Sequence, residues 1–139
     1  MVVNINSRVV IDASAVLSYI LPDESTSNNV LNIFRKYAKD QISLLAPTLL
    51  SYEIGNAIKT AVKQKRLDEL TAIDIIDNFK HMEIHYFDPN ILSTITLSLE
   101  HNLSFYDAAY LCLAQEQKAK LLTLDKKLQD AFLLQKTIK

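Results

Sequence analysis

Short apolar runs alternate with longer amphipathic segments along this chain, and the alternation predicts its elements. The short runs are rich in branched and aromatic residues and have the length of strands. They cover residues 8–11 (RVVI), 42–46 (ISLLA), 83–87 (EIHYF) and 120–124 (KLLTL). Strands that alternate with helices indicate a parallel sheet covered by helices on both faces. We therefore predict an α/β fold with three layers, α/β/α, in a single domain over residues 1–139.

The segments between these runs have helical periodicity or helix-start signals. They predict helices over residues 14–21, 27–39, 47–64, 71–79, 90–101, 104–117 and 125–134. Thr71 and Asp74 resemble a capping box that opens the fourth of these, and Ser104 is placed to cap the sixth. The last residues, KTIK (136–139), are expected to form a short edge strand.

Composition narrows the function. The chain has 139 residues, 49% of them hydrophobic and 22% charged, with a net charge of −1, which is typical of a globular protein. No apolar stretch approaches a membrane span, no secretory signal opens the chain, and Cys112 is the only cysteine, so a cytoplasmic location is expected. With one glycine, the chain has neither a P-loop nor a dinucleotide-binding motif.

Four carboxylates lie where solvated charges are uncommon. Asp12 ends the run VVI, Asp125 closely follows Leu121-Leu122, and Asp107 lies inside the apolar segment FYDAAYLCLA. Glu53 borders the apolar face of the helix PTLLSYEIGNAIKTAVKQ. Because buried charges need a partner, several acids at one edge of a sheet indicate a bound cation, and oxygen ligands suit Mg²⁺ or Mn²⁺.

Each acid also has a simpler explanation. Asp12, Asp107 and Asp125 stand where helix caps occur, and Glu53 can be a solvated residue at the border of its helix. Ser14 can cap a helix or hydrogen-bond a metal-bound water, and Thr123 in a T-x-D pattern can orient a ligand. The residues alone leave these alternatives open.

A basic stripe extends the helix that carries Glu53. Lys59, Lys63 and Arg66 lie beside Asn56, where they can contact the backbone of a bound nucleic acid or simply face solvent. His81 and His85 have the spacing of a zinc pair, but no third ligand is evident, so a zinc site is not expected.

Four segments of the chain resemble the PIN-domain family, and most closely its VapC-type toxins. They are VIDASAVLSYIL, PTLLSYEIGNAI, LSFYDAAYLCLA and LLTLDKKL, in the family's order and approximate spacing. The sequence departs from the family in lacking a glycine before Arg66 and another before the last strand, at Lys118-Ala119-Lys120. These departures affect turns rather than the acidic residues.

The resemblance implies a Rossmann-like fold and an endoribonuclease that depends on Mg²⁺ or Mn²⁺. It assigns metal binding and catalysis to Asp12, Glu53, Asp107 and Asp125, and supporting roles to Ser14, Asn56 and Thr123. It also implies an RNA substrate, a cognate antitoxin protein, and homodimers that assemble with that antitoxin.

Two other functions remain open at this point. The first is a catalytically silent module of the same fold that acts by binding a partner. The second is an Asp-based phosphotransfer domain with Asp12 as phosphoacceptor. A haloacid-dehalogenase-like enzyme would need a second Asp at position 14, which is serine here, and the segment around Asp88 is a poor match to a receiver domain.

Overall fold

A computed structural model describes residues 7–138, with side chains through residue 135. Its centre is a sheet of four parallel strands in the order β3-β2-β1-β4. The strands are β1 (Arg8–Ile11), β2 (Ser43–Ala46), β3 (Ile84–Tyr86) and β4 (Lys120–Leu122). Every predicted strand except the last edge strand is present, and the predicted parallel sheet is confirmed.

Seven helices in the described part of the chain cover this sheet. They are α1 (Ala13–Ile20), α2 (Asn28–Ala38), α3 (Leu49–Lys63), α4 (Glu69–Lys80), α5 (Ile91–His101), α6 (Phe105–Glu116) and α7 (Lys126–Ile138). Helices α1 to α4 pack against one another, and α6 packs against α5, α7, β1 and β4. Right-handed crossovers place α1 to α4 on one face of the sheet and α5 and α6 on the other. The three-layer α/β/α fold is thus confirmed.

The core lies where the central strands meet α6. Val9, Val10 and Ile11 of β1 are buried, as expected for a parallel strand covered on both faces. Helix α6 is buried through the whole segment from Ala108 to Ala114, so it is apolar around its circumference. A charged residue in the first turn of such a helix is therefore close to the interior.

Two predicted element boundaries are wrong. Helix α4 begins at Glu69, and its cap is Asp68, whose carboxylate accepts a hydrogen bond from the Thr71 N–H at 2.7 Å. Thr71 therefore lies inside the first turn rather than before it. The segment KTIK is not a strand, because α7 continues through Ile138; Lys139 lies outside the described residues.

The two missing glycines coincide with left-handed turns. Lys65 has φ of 61° and Lys118 has φ of 51°, a region in which a Cβ atom is strained. After α3, the Arg66 N–H returns to the Ala61 carbonyl at 2.8 Å, which is the closing bond of a Schellman turn. The fold therefore keeps at these positions the backbone conformation that favours glycine.

Among residues 7–138, no helix has the length and apolar character needed to cross a bilayer. The single domain over residues 1–139 stays a prediction.

Candidate active site

The sheet topology brings two of the predicted acids to neighbouring strand ends. The connection from β1 leads towards β2, whereas β4 lies on the opposite side of β1, so the strand order reverses between β1 and β4. Crevices beyond the carboxyl ends of strands at such a reversal are the usual binding sites of open α/β sheets. Asp12 directly follows β1, and Thr123 and Asp125 follow β4.

Asp12 is held by a network of hydrogen bonds. The residue is only 5% exposed, and its Oδ1 accepts hydrogen bonds from Ser14 Oγ at 2.7 Å and from the Ala15 N–H at 3.0 Å. The Thr123 hydroxyl donates to Oδ2. Asp12 therefore does cap α1, as the simpler explanation held, but the bond from Thr123 goes beyond capping. A carboxylate has about four acceptor positions, so these three bonds leave room for one more partner.

Thr123 and Ser14 tie the ends of β1 and β4 together. Thr123 Oγ1 accepts a hydrogen bond from the Asp125 N–H at 3.0 Å, while Ser14 Oγ accepts one from the Leu124 N–H at 2.9 Å. Asp125 in turn caps α7, since its Oδ1 accepts from the Leu128 N–H at 2.9 Å. The predicted supporting positions Ser14 and Thr123 thus fix the backbone and side chains around both acids.

Glu53 has a partner that the sequence did not reveal. Its half-buried carboxylate accepts a 2.6 Å hydrogen bond from the hydroxyl of Tyr110, which is 1% exposed. The interior position and the neighbouring carboxylate raise the pKa of Tyr110, so its hydroxyl remains a donor. A signal was present, since a buried tyrosine needs a hydroxyl partner and Tyr110 lies one turn from Asp107.

Asp107 stands in the first turn of α6. The helix cap is Ser104, whose hydroxyl accepts a hydrogen bond from the Asp107 N–H at 3.0 Å. The predicted role of Ser104 as cap is confirmed. The Asp107 side chain is half-buried, and the charges of Asp125 and Asp12 contribute to raising its pKa.

Burial and neighbouring negative charge raise the pKa of three of these acids, Asp12, Glu53 and Asp107. Burial is the largest cause that raises the pKa of Asp12, Glu53 and Asp107. The charge of Asp125 raises the pKa of Asp12 and Asp107 further, and the charges of Asp107 and Asp12 raise that of Glu53. Each of the four acids therefore lies within electrostatic reach of at least two others.

The four acids provide only oxygen donors, which is the chemistry that Mg²⁺ and Mn²⁺ prefer. Among the described residues, however, no three His, Cys, Asp or Glu side chains are already grouped closely enough to hold an ion. Mg²⁺ commonly binds through one or two carboxylates and keeps several of its waters. The site fits an ion held in that way, with the remaining acids contributing through charge or through water.

The other predicted residues fall into two groups. Asn56, Lys59 and Lys63 are exposed on α3, C-terminal to Glu53 on the same helix. Arg66 does not share this stripe, because α3 ends at Lys63. The Arg66 guanidinium instead pairs with Asp23 at 2.8 Å. The prediction that all three cations follow one helical stripe is therefore wrong for Arg66.

Comparison with known proteins agrees with this geometry. The sequence profile of the PIN domain matches residues 9–132. Ribonuclease VapC3 of Pyrobaculum aerophilum is 28% identical over 129 residues, which cover 90% of this chain and 95% of that protein. Ribonuclease VapC1 of Mycobacterium tuberculosis is 36% identical over 123 residues, which cover 88% of this chain and 89% of that protein.

The fold has a solved counterpart as well. The crystal structure of PAE2754 from Pyrobaculum aerophilum superposes with a TM-score of 0.70 and 22% identity, covering 89% of this chain and 78% of that one. At that identity the likeness shows the fold alone. The profile match and the two VapC relatives confirm the resemblance that the sequence segments indicated. On this combination of acidic sheet edge, profile match and relatives, the chain belongs to the PIN-domain family, among its VapC-type members.

Proposed function

We propose that the protein is a metal-dependent endoribonuclease whose active site is formed by Asp12, Glu53, Asp107 and Asp125. The observation that carries this proposal is the sheet edge at which Thr123 contacts both Asp12 and the Asp125 N–H, where burial and neighbouring charge raise the pKa of Asp12, Glu53 and Asp107. Clustered perturbed carboxylates in a crevice mark functional sites. Both VapC relatives described above are named ribonucleases, which supports RNA as the substrate.

The residues divide the work of such a site between them. A divalent ion bound there would supply an activated water and offset charge on the phosphoryl oxygens. Asp12 and Asp125 would hold the ion from a fixed base, because Thr123 contacts both of them. Tyr110 holds the Glu53 carboxylate through its hydroxyl hydrogen bond. Asp107 adds a further negative charge to the site, and the positive charge of Lys127 lies within electrostatic reach of Asp107. We propose Mg²⁺ or Mn²⁺ as the bound ion.

Lys59 and Lys63 are the proposed contacts for the RNA backbone. They are exposed on the helix that carries Glu53, so a strand entering the site can pass along them. Each phosphate contact releases counterions and makes binding more sensitive to salt. Arg66 was predicted to join them, but it would have to leave Asp23 to do so.

The alternatives are weaker but testable. The lack of a preformed group of three metal-binding side chains in the described residues favours a silent binding module. Phosphotransfer on Asp12 is disfavoured, because that carboxylate is 5% exposed and already accepts three hydrogen bonds.

We further propose that the protein pairs with a cognate antitoxin and forms homodimers. VapC-type membership supports the first, and the exposed apolar side chains Ile91, Leu92 and Leu99 of α5 support a protein contact surface. Sedimentation of the purified chain, alone and with its antitoxin, tests both. The cytoplasmic location predicted from the sequence remains a prediction.

A circular single-stranded RNA is the substrate that tests this proposal, since only an endonuclease can open a molecule without ends. We expect linear products in Mg²⁺ or Mn²⁺ and none in EDTA. Asp107→Asn should remove the activity without lowering thermal stability, and Asp74→Asn, an exposed acid on α4, is the matched control. Intact circles with folded protein and either metal would favour the silent module. A covalent phosphoenzyme formed with a phosphate donor would favour phosphotransfer.

A further inference from the structure

Two tyrosine side chains stand largely in solvent beside the candidate active site. Tyr52 of α3 is 81% exposed, and Tyr106 of α6 is 64% exposed. Each directly precedes a site acid in the sequence, Tyr52 before Glu53 and Tyr106 before Asp107. One exposed aromatic ring is ordinary on a protein surface. Two rings from different helices, each next to an acid of the same cluster, suggest a binding surface.

The two rings line one open pocket of about 320 Å³ together with Leu49, Glu53 and Asn56. Tyr52 and Asn56 are four residues apart on α3, so they lie on the same face of the helix, one turn from each other. The pocket is therefore aromatic and aliphatic, with one amide and one carboxylate at its border. Through Glu53 it is continuous with the acid cluster.

The chemistry of this pocket suits a nucleobase better than a phosphate. A base presents flat faces that stack on tyrosine rings, and its edge offers donors and acceptors that an amide such as Asn56 can match. A phosphate would instead meet the Glu53 carboxylate without a compensating cation in the pocket. Bases are available for such stacking only where the RNA is unpaired.

We propose that Tyr52 and Tyr106 form a stacking subsite for one unpaired nucleobase next to the cleaved phosphate, with Asn56 contacting the edge of that base. This inference rests on the proposed ribonuclease function and adds the substrate class: the site requires a flexible single-stranded nucleotide at one fixed position. The two tyrosines position the base and are not ligands of the ion.

An abasic scan tests this subsite. A single-stranded oligoribonucleotide with one mapped cut is prepared with an abasic nucleotide at each position in turn. Loss of a stacked base costs about 5- to 150-fold. We therefore expect KM to rise by this factor at one position beside the cut, with kcat little changed. Tyr52→Ala and Tyr106→Ala should raise KM on the intact strand and make the abasic substitution at that position harmless. Tyr52→Phe and Tyr106→Phe keep the rings and should retain most of the affinity.

A second measurement is independent of cleavage. Stacking on tyrosine should quench a 2-aminopurine placed at the sensitive position, or scanned along the strand, in EDTA and low salt. Quenching should disappear in Tyr52→Ala and persist in Leu70→Ala, a control of similar exposure on α4. Unchanged quenching in both tyrosine variants would overturn the subsite, even if the protein cleaves RNA. Quenching in a protein that cuts no RNA would support base binding while refuting the ribonuclease. A shift in oligomeric state with no change in quenching would assign the tyrosines to a contact between two copies of the chain.

Discussion

The candidate active site has two halves that are held in different ways. The strand half, Asp12 and Asp125 with Ser14 and Thr123, is fixed by hydrogen bonds from side chains and backbone alike. The helix half, Glu53 and Asp107, depends on Tyr110 for one acid and on the cap of Ser104 near the other. Both halves face electrostatic repulsion.

This difference indicates which acids are preorganised before the ion binds. A carboxylate that accepts several hydrogen bonds is held in position by them whether or not a cation is present. A carboxylate with few donors and several negative neighbours gains most when the cation binds. We infer that Asp12, which accepts three hydrogen bonds, is preorganised in the strand half, whereas the ion mainly stabilises the helix half.

The largest effect should come from removing one acid in each half. Asp12→Ala and Asp107→Ala should each reduce RNA cleavage by more than about 100-fold, since losing even a supporting partner of a metal ligand costs about 10- to 100-fold. Their stabilities should differ, because Asp12→Ala leaves three donors without their acceptor and costs about 1–3 kcal/mol. Asp107→Ala should keep or raise the metal-free stability. Urea unfolding measures both, and equal losses would remove the distinction between the halves.

Thr123→Val should weaken the strand half without touching an acid. The hydroxyl donates to Asp12 and accepts from the Asp125 N–H, so its loss should cost about 1–3 kcal/mol in unfolding free energy. Affinity for Mn²⁺ should fall about 10-fold, as is typical when a ligand loses its supporting hydrogen bond. Titration calorimetry measures that affinity, and Thr123→Ser, which keeps the hydroxyl, is the control. Unchanged Mn²⁺ affinity in Thr123→Val would show that the Thr123 hydroxyl stabilises the fold but does not support metal binding.

Tyr110→Phe is the corresponding test of the helix half. Removing the hydroxyl leaves Glu53 without its 2.6 Å donor, which should cost about 1 kcal/mol of stability and raise the Mn²⁺ concentration needed for half-maximal binding. Tyr37→Phe is the matched control, because that hydroxyl accepts from the Glu83 N–H elsewhere in the fold. If both variants bind Mn²⁺ like the unaltered protein, Tyr110 has a packing role only.

Metal-free stability should also depend on pH in a direction set by the cluster. The folded pKa of Asp12, Glu53 and Asp107 lies above the ordinary carboxyl value, so the folded state binds more protons than the unfolded state in this range. The free energy of unfolding should therefore fall as pH rises from about 4 through these raised values. Saturating Mn²⁺ should reduce or reverse this fall, and thermal melts with and without EDTA check it. A metal-free stability that rises through that range would contradict the raised values.

The smallest expected effect comes from two substitutions outside the site, which should change stability without changing the binding of Mn²⁺. Lys118→Gly should stabilise the protein by about 0.5–1 kcal/mol, because the left-handed backbone at φ of 51° no longer strains a Cβ atom. Lys65→Gly, at the turn after α3, should behave alike. Neither change should alter Mn²⁺ affinity or its pH dependence. Destabilisation would mean that the lysine side chains make contacts worth more than the strain.

Much of the fold could be predicted from the sequence, because hydrophobic periodicity is local and survives folding. The strands β1 to β4 and the helices between them follow it, and strand alternation gave the parallel sheet. The errors occurred where two residues competed for one helix start, as at Asp68 and Thr71, and at the end of α7, where the short apolar-polar pattern of KTIK carried too little information.

The sequence by itself determined which acids stand at strand ends and on apolar helix turns, since those positions follow from local pattern. Only the tertiary structure decided their partners. Thr123 reaches Asp12 across 111 positions of sequence, Tyr110 reaches Glu53 across 57, and Arg66 is drawn to Asp23 across 43. Hydrogen bonds between distant side chains depend on strand order and helix crossing, which leave no periodic signature in the chain. The local sequence pattern therefore identifies the acids. Their hydrogen-bond partners and their mutual repulsion arise only when folding brings the strand ends and helices together.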